Sequence, residues 1–395
     1  MKILILHSQL GVLQGGGETF TRNLFIAFAE RGHQVSAAFV ADRCGRWPFP
    51  LPPCFEPIPI AGWWSSDLGQ ATLSSISRYL PGESRYRKMW DRLQNAIDWR
   101  IFRWHNRRFQ RRVEREFSNR WSDFDVVYVQ SNVRLAGKIA GHHPTILMLP
   151  GPVSDDWIST MRKVHAVCAH DDGLTRLRAQ IGDKAREIPL GLDTILFSPG
   201  VSSIRSALGW TDHQQVIGYS GRLHSIKGID LLSDAFRKIS HKSPNARLLI
   251  VGSGEEEKNI RKGLADEISR GLAHIEPAMA QEQLPTWYRA MDLIVMPSRY
   301  ETMSNAVLEA MACGIPFLVS NVGGNITLGN TGAGWLFKSE SAHSLAVSLT
   351  EILPNSSEMK MRGNIGCRYA QKCCSWNASA QRLEAIVSSL IQVAH

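Results

Sequence analysis

Short β-branched runs alternate with helix-patterned segments in two separate series along this chain, and that doubled alternation confines it to parallel α/β architecture in two domains. In the first series, Lys2–His7 reads as a strand, a glycine-rich turn at Gly15, Gly16 and Gly17 enters a helix over Glu18–Arg31, and Gln34–Val40 returns as a strand. Asp125–Gln130 and Thr145–Leu149 continue the same sheet. The pattern restarts after Pro199, with strands at Gln215–Ser220, Arg247–Val251, Leu293–Met296 and Pro316–Ser320 and helices at Gly228–Ser240 and Asn305–Cys313. The expected organisation is an N-terminal domain over residues 1–190, a linker over 191–200, a C-terminal domain over 201–375 and a last helix over 376–395 that packs back on the first domain. Two such halves facing each other leave a cleft at the carboxyl ends of their strands, where ligands of α/β sheets bind.

Other classes fall away on composition. At 395 residues and 44% hydrophobic, the chain is too long for one core and too apolar for disorder. Its seven cysteines form no Cys-x-x-Cys pair, which argues against structural zinc and for a reducing compartment. The start, MKILILHSQLG, is too short and too polar for a signal peptide and reads better as a strand. The longest uncharged stretch, Ala310–Phe337, is interrupted by glycine, proline and asparagine, so no transmembrane helix is expected.

Chemistry concentrates in the second series. In SRYETMSNAVLEAMACGIP, Glu301 precedes a helix whose N-cap is Ser304 or Asn305, and Glu309 lies well inside that helix. The free N–H groups of Ser304, Asn305 and Ala306, with the helix dipole, attract phosphate, and carboxylates on either side accept sugar hydroxyls. Alone, the two glutamates would read more readily as solvated surface residues. They are joined by SGRLHSIKG, which sets Arg222 and Lys227 in a strand-to-helix loop, where two cations can clamp a pyrophosphate and stabilise charge on a leaving diphosphate.

Together ETMSNAVLEAMACGIP, GRLHSIKG, IPLGLDTILFSPG, LLIVGSGEE and the amino-terminal GGGE resemble the retaining glycosyltransferases of family four. The resemblance covers the carboxy-terminal half and the first forty residues, and it implies the GT-B fold, two facing Rossmann-like α/β domains with a central cleft. By that resemblance Arg222 and Lys227 hold the donor diphosphate, Glu301 binds the transferred sugar and Glu309 binds the nucleotide ribose. Ser304, Asn305 and Ala306 touch the phosphates through backbone amides, Gly16 and Gly17 approach them from the other domain, and Gly252 marks a turn near the base. Arg222, Lys227 and Glu301 are the catalytic candidates. Thr302, Met303 and Ser304 stand where the family usually has Gly-Phe-Gly, and no histidine ends the Thr145–Leu149 strand, where many members carry one facing the acceptor.

The implied reaction moves a sugar from a nucleotide sugar, such as a UDP- or GDP-sugar, to a hydroxyl with retention. It needs no protein nucleophile, no cofactor and no metal, and its likeliest setting is bacterial envelope glycan synthesis. A soluble transferase of small metabolites or antibiotics, or a catalytically silent nucleotide-sugar-binding protein, would share these motifs. Asp123-Phe-Asp125 matches the metal-binding Asp-x-Asp of another glycosyltransferase fold, but its place before a buried strand points to coincidence.

One segment stands outside this pattern. Between Arg78 and Arg120 lie 13 Lys or Arg against 5 Asp or Glu, which accounts for nearly all of the net charge of +9. Within the insertion at about 63–121, Trp90, Trp99 and Trp104 accompany Arg103, Arg107 and Arg111 at helical spacing, and Phe109, Val113 and Phe117 form a second apolar stripe. A core-packed helix with a solvated basic face is one reading. The sharper one is an interfacial helix that holds a cytoplasmic enzyme peripherally on the inner membrane face, near a lipid-linked or glycan acceptor. Nucleic acid is not expected as a partner, because no nucleic-acid-binding fold is recognisable.

Overall fold

The computed structural model describes residues 1–10, 16–41, 50–61, 106–149, 154–169 and 171–394. They divide into two compact units: unit 1 comprises Met1–Ala169, Leu177–Arg186 and Leu383–His395, and unit 2 comprises His170–Arg176 and Glu187–Arg382. The helix Trp376–Ala394 begins in unit 2 and ends in unit 1. Within unit 1 its Glu384 accepts from Arg31 Nε at 2.8 Å and lies 3.3 Å from His33 Nε2.

Unit 1 is built on a seven-stranded sheet in the order β3-β2-β1-β4-β5-β6-β7. The strands are β1 (Lys2–Leu6), β2 (Gln34–Ala41), β3 (Phe55–Ala61), β4 (Val126–Gln130), β5 (Thr145–Leu149), β6 (Ala166–Ala169) and β7 (Ala185–Glu187). β1 to β6 pair in parallel. Their near-continuous apolar runs follow from burial on both faces: every residue of β4 and β5 is buried. Phe25 of the Gly16–Glu30 helix meets Tyr128 of β4 edge-on, ring centroids 4.8 Å apart, in the middle of that core. Pro57 and Pro59 masked β3 in the sequence. Proline has no N–H to donate to a ladder, and β3 tolerates two because, among the described residues, it is an edge strand paired with β2 alone.

Unit 2 repeats the plan with six parallel strands in the order β10-β9-β8-β11-β12-β13. These are β8 (Gln215–Ser220), β9 (Ala246–Val251), β10 (Ala273–Glu276), β11 (Leu293–Met296), β12 (Phe317–Ser320) and β13 (Gly334–Phe337). In both units the first strand lies between the second and the fourth, so the connections diverge to opposite sides there and open a crevice at the carboxyl ends. In unit 2 that crevice lies between the loops after β8 and β11.

One expectation changes in detail. Gly16 and Gly17 lie in the first turn of the Gly16–Glu30 helix rather than in a turn before it, while Gly15 falls outside the described residues. Gly32 closes that helix at φ +87°, a left-handed conformation that suits glycine. Among the described residues no helix is long and apolar enough to cross a membrane.

Candidate functional site

The loop after β8 runs Gly221–Gly228 and includes a single 3₁₀ turn, Ser225–Lys227. His224 caps that turn by accepting from the Ile226 amide at 3.1 Å. Gly228 ends it at φ +65°, where a Cβ would lie 2.0 Å from the Pro297 carbonyl oxygen. Only glycine allows this approach, so the turn carrying Lys227 seats directly on the loop after β11. Arg299 fastens the same two loops: its guanidinium grips both Asp230 carboxylate oxygens at 2.8 and 2.7 Å, and its amide donates to the Ile226 carbonyl at 2.8 Å. This fork is of the strong, geometrically specific kind, and it holds the Asp230 carboxyl below its usual range.

Lys227 Nζ consequently reaches Glu301 Oε2 at 2.6 Å. The Glu301 side chain is 6% exposed and that of Lys227 is 24% exposed, so the pair is closed on one side and open on the other. Ser298 Oγ also donates to Glu301 Oε2, at 3.3 Å. Arg222, four residues earlier than its 3₁₀ neighbour Ile226, is exposed and makes no side-chain hydrogen bond or ion pair with the described residues. Its carbonyl accepts from the buried Tyr219 hydroxyl at 2.8 Å, which fixes the backbone beneath a free guanidinium.

Past Glu301 the chain enters the helix Asn305–Ala312. Ser304 is its N-cap, with Oγ accepting from the Val307 amide at 3.4 Å, and it is buried. The amides of Asn305 and Ala306 find no acceptor among the described residues, as the first turn of a helix requires. Thr302, Met303 and Ser304 all have negative φ, so the loop keeps its course without the glycines usual in the resembled family. The close approach is supplied by the first residue of the helix Gly324–Gly329 instead: Gly324 donates its amide to Glu301 O at 3.1 Å, and a Cβ there would meet the Thr302 carbonyl at 1.9 Å.

Glu309, on the second turn, is 8% exposed. Its carboxyl accepts from the Tyr288 hydroxyl at 2.8 Å and from Gln281 Nε2 at 3.4 Å, and burial pushes its pKa up to about 7. Gly252 has a packing reason for lacking a side chain, since a Cβ would stand 1.9 Å from the Gly221 carbonyl. There the loops after β8 and β9 are stitched by Leu223 N to Ser253 O and Glu256 N to Leu223 O, both 3.0 Å.

Unit 2 thus brings Lys227 and Glu301 into contact and sets Arg222, Ser304, Asn305, Ala306 and Glu309 on the loops and helix around them. Gly16 and Gly17 belong to unit 1. Trp90, Trp99, Arg103 and Trp104 lie outside the described residues. Arg107 and Arg111 are exposed on a helix over 106–116, while Phe109 and Val113 of the same helix and Phe117 in the turn after it are buried, which makes the second apolar stripe core. Asp125 Oδ2 accepts from the Lys2 amide at 2.6 Å and Asp123 pairs with Arg120 at 3.2 Å, a structural use for both carboxylates of the Asp-x-Asp sequence. Sequence reasoning missed Tyr288, Gln281, Asp230 and Arg299. Arg299 sits two residues before Glu301, but nothing local marks its partner 69 positions away.

Residues 201–368 match the protein family Glycosyl transferases group 1. A D-inositol 3-phosphate glycosyltransferase of Segniliparus rotundus is 31% identical over 223 residues, 54% of this chain and 48% of that one. A GDP-mannose-dependent monoacylated alpha-(1-6)-phosphatidylinositol monomannoside mannosyltransferase of Corynebacterium glutamicum is 29% identical over 229 residues, 55% and 60% of the two chains. The chain spans about half the length of the curated relatives it matches. Among solved structures, sucrose-phosphate synthase from Thermosynechococcus elongatus superposes with a TM-score of 0.71 at 20% identity, covering 99% of each chain. HepE of Anabaena in complex with UDP superposes at 0.66 and 18% identity, covering 98% of this chain and 100% of that one. The fold is that of the GT-B glycosyltransferases.

Proposed function

With a Glycosyl transferases group 1 domain over residues 201–368 as the premise, we propose that the protein transfers a sugar from a nucleoside diphosphate sugar to an acceptor hydroxyl, with retention and without a metal. The observation that carries this reading is the Lys227–Glu301 pair at 2.6 Å, with Glu301 buried and Lys227 partly open to solvent, before a helix whose first amides find no acceptor among the described residues. A diphosphate placed there meets the ammonium of Lys227, the free guanidinium of Arg222 and the amides of Asn305 and Ala306. These donors stabilise negative charge as it grows on the departing phosphate, the kind of preorganised electrostatics that lowers a transfer barrier most. When ionised, Glu301 and Glu309 offer acceptors and no donor, and they suit the hydroxyls of the transferred sugar and of the ribose.

No side chain is assigned as nucleophile. On the retained face the leaving phosphate oxygen itself takes the proton of the attacking acceptor hydroxyl, as the new C–O bond forms and the old one breaks. The protein's part is orientation and charge. Gly252 is assigned the turn beside the base.

Donor and acceptor follow the relatives by chemistry. One relative is named for GDP-mannose and one structure contains UDP, so guanosine and uridine diphosphate sugars are the donor candidates. The relative acting on a phosphatidylinositol mannoside supports a lipid-linked or glycan acceptor, with the enzyme held peripherally at the inner face of the membrane. Incubation with UDP- and GDP-sugars in EDTA, with release of the nucleoside diphosphate and the anomeric configuration of the product followed by NMR, tests the reading. A released sugar of inverted configuration, or turnover only with added metal, would contradict it.

A further inference from the structure

Unit 1 contains a cavity of about 540 Å³ lined by Arg107, Arg111, Arg134, Lys138, Lys163 and Thr160, with no acidic residue among the described residues that line it. Three segments converge to make it. The helix over 106–116 presents Arg107 and Arg111 one turn apart, and the helix Val133–Ile139 presents Arg134 and Lys138 one turn apart. Thr160 and Lys163 come from the helix Ile158–Met161 and the turn after it. Gly137 lets the second and third segments close up, since a Cβ there would lie 2.4 Å from Thr160 Cγ2.

The charges are only partly compensated. Lys138 pairs with Glu114 at 2.9 Å. Arg107, Arg134 and Lys163 have no carboxylate partner among the described residues, and all three are exposed. Like charges gathered in a concavity repel one another and focus a positive potential, a cost that a bound anion removes. Guanidinium groups with a hydroxyl among the lining residues are the donors that phosphate oxygens favour.

We propose that this cavity is a binding site for a phosphate-bearing anion, either the headgroup of an anionic lipid or a soluble phosphate ester. The site deepens the membrane side of the proposed function and rests on that reading for its lipid arm, since Arg107 and Arg111 belong to the basic segment read as interfacial, but it is independent of the donor site, because none of the residues assigned to the donor lines the cavity.

Two probes separate the sources. Full-length protein is floated with vesicles of phosphatidylcholine alone and of phosphatidylcholine mixed with phosphatidylglycerol, and its melting temperature is read in inorganic phosphate against chloride at equal ionic strength. The variants are Arg107→Ala, Arg134→Ala and their combination, with Arg270→Ala of unit 2 as control. Arg107 and Arg134 are exposed and sit among like charges, so their removal leaves the melting temperature in chloride unchanged or slightly raised. A lipid headgroup predicts flotation only with phosphatidylglycerol, weakened about fivefold for each arginine removed, and unweakened in the control. A soluble ester predicts stabilisation by phosphate that disappears in the double variant, without flotation. No response of the wild type to either probe, or responses that persist unchanged in the double variant, would overturn the proposal.

Discussion

The Tyr288 hydroxyl donates to the Glu309 carboxyl at 2.8 Å in the interior of unit 2, and that one bond keeps an otherwise desolvated acid within reach of ionisation near neutral pH. Burial raises the Glu309 pKa from 4.5 to about 7, while Tyr288 and Gln281 pull it down. An acid with a raised pKa holds its proton more tightly folded than unfolded. Its stability contribution is therefore greatest at low pH and falls as pH rises from about 4.5 to about 7, then stays level. Glu309→Gln should remove that slope, seen as a flatter dependence of Tm on pH over this window than in wild type.

If ribose hydroxyls bind the ionised Glu309 carboxylate, nucleotide affinity rises with pH through about 7 in the wild type. Glu309→Gln loses the inflection along with affinity. Tyr288→Phe removes a contact that lowers the pKa, so its inflection moves to higher pH. Calorimetric titration across this range reads all three, and an inflection left in place by Glu309→Gln would assign it to another group.

Lys227 and Glu301 should behave as a coupled pair. Lys227→Met leaves a carboxylate that is 6% exposed with only the Ser298 hydroxyl. An uncompensated buried charge costs about 3–5 kcal/mol, and the partial exposure of Lys227 places this case toward the lower end. Adding Glu301→Gln should recover most of that stability, read from denaturant midpoints, without restoring transfer. A double variant no more stable than Lys227→Met would show that the pair is not coupled.

Arg222 separates function from folding. Its guanidinium is exposed and unpaired among the described residues, so Arg222→Ala should change stability by less than about 0.5 kcal/mol. Turnover should fall about 10²–10³-fold, the scale for losing one stabiliser of developing charge. Equal losses in folding and turnover would make the residue structural.

Gly228 and Gly32 offer a matched comparison of backbone strain. Both are left-handed, at φ +65° and +87°. A Cβ on Gly32 meets nothing within 4 Å, so Gly32→Ala should cost only the strain of its conformation, about 1 kcal/mol. At Gly228 the Pro297 carbonyl stands 2.0 Å from that Cβ, so Gly228→Ala must push the Lys227 turn off the β11 loop. A larger drop in Tm with loss of nucleotide binding is expected there, and not at Gly32.

Strands such as Thr145–Leu149, Gln215–Ser220 and Leu293–Met296 were legible to the residue because strands covered on both faces are uninterrupted apolar runs. The edge strand β3 was not, because its alternating prolines are tolerated only where one side of the ladder is free. At the site, Lys227, Glu301 and Glu309 could be picked out because loop and helix signals surround them. Tyr288 and Asp230 could not, because their roles come from contacts across 21 and 69 positions that no local pattern encodes. The Thr302–Ser304 loop shows the converse. It lacks the glycines usual in the resembled family, yet none of its φ values is positive and Gly324 supplies the close approach.

The central claim is that unit 2 holds a nucleoside diphosphate sugar through Lys227, Arg222 and Glu309 without a metal. The most direct measurement is a thermal-shift titration of wild type and Lys227→Met with UDP, GDP, ADP and their sugar conjugates, each with and without EDTA. The predicted result is a saturable rise in Tm with a uridine or guanosine diphosphate that survives EDTA and is lost in Lys227→Met. A shift that vanishes in EDTA, or one that Lys227→Met leaves intact, would contradict the claim.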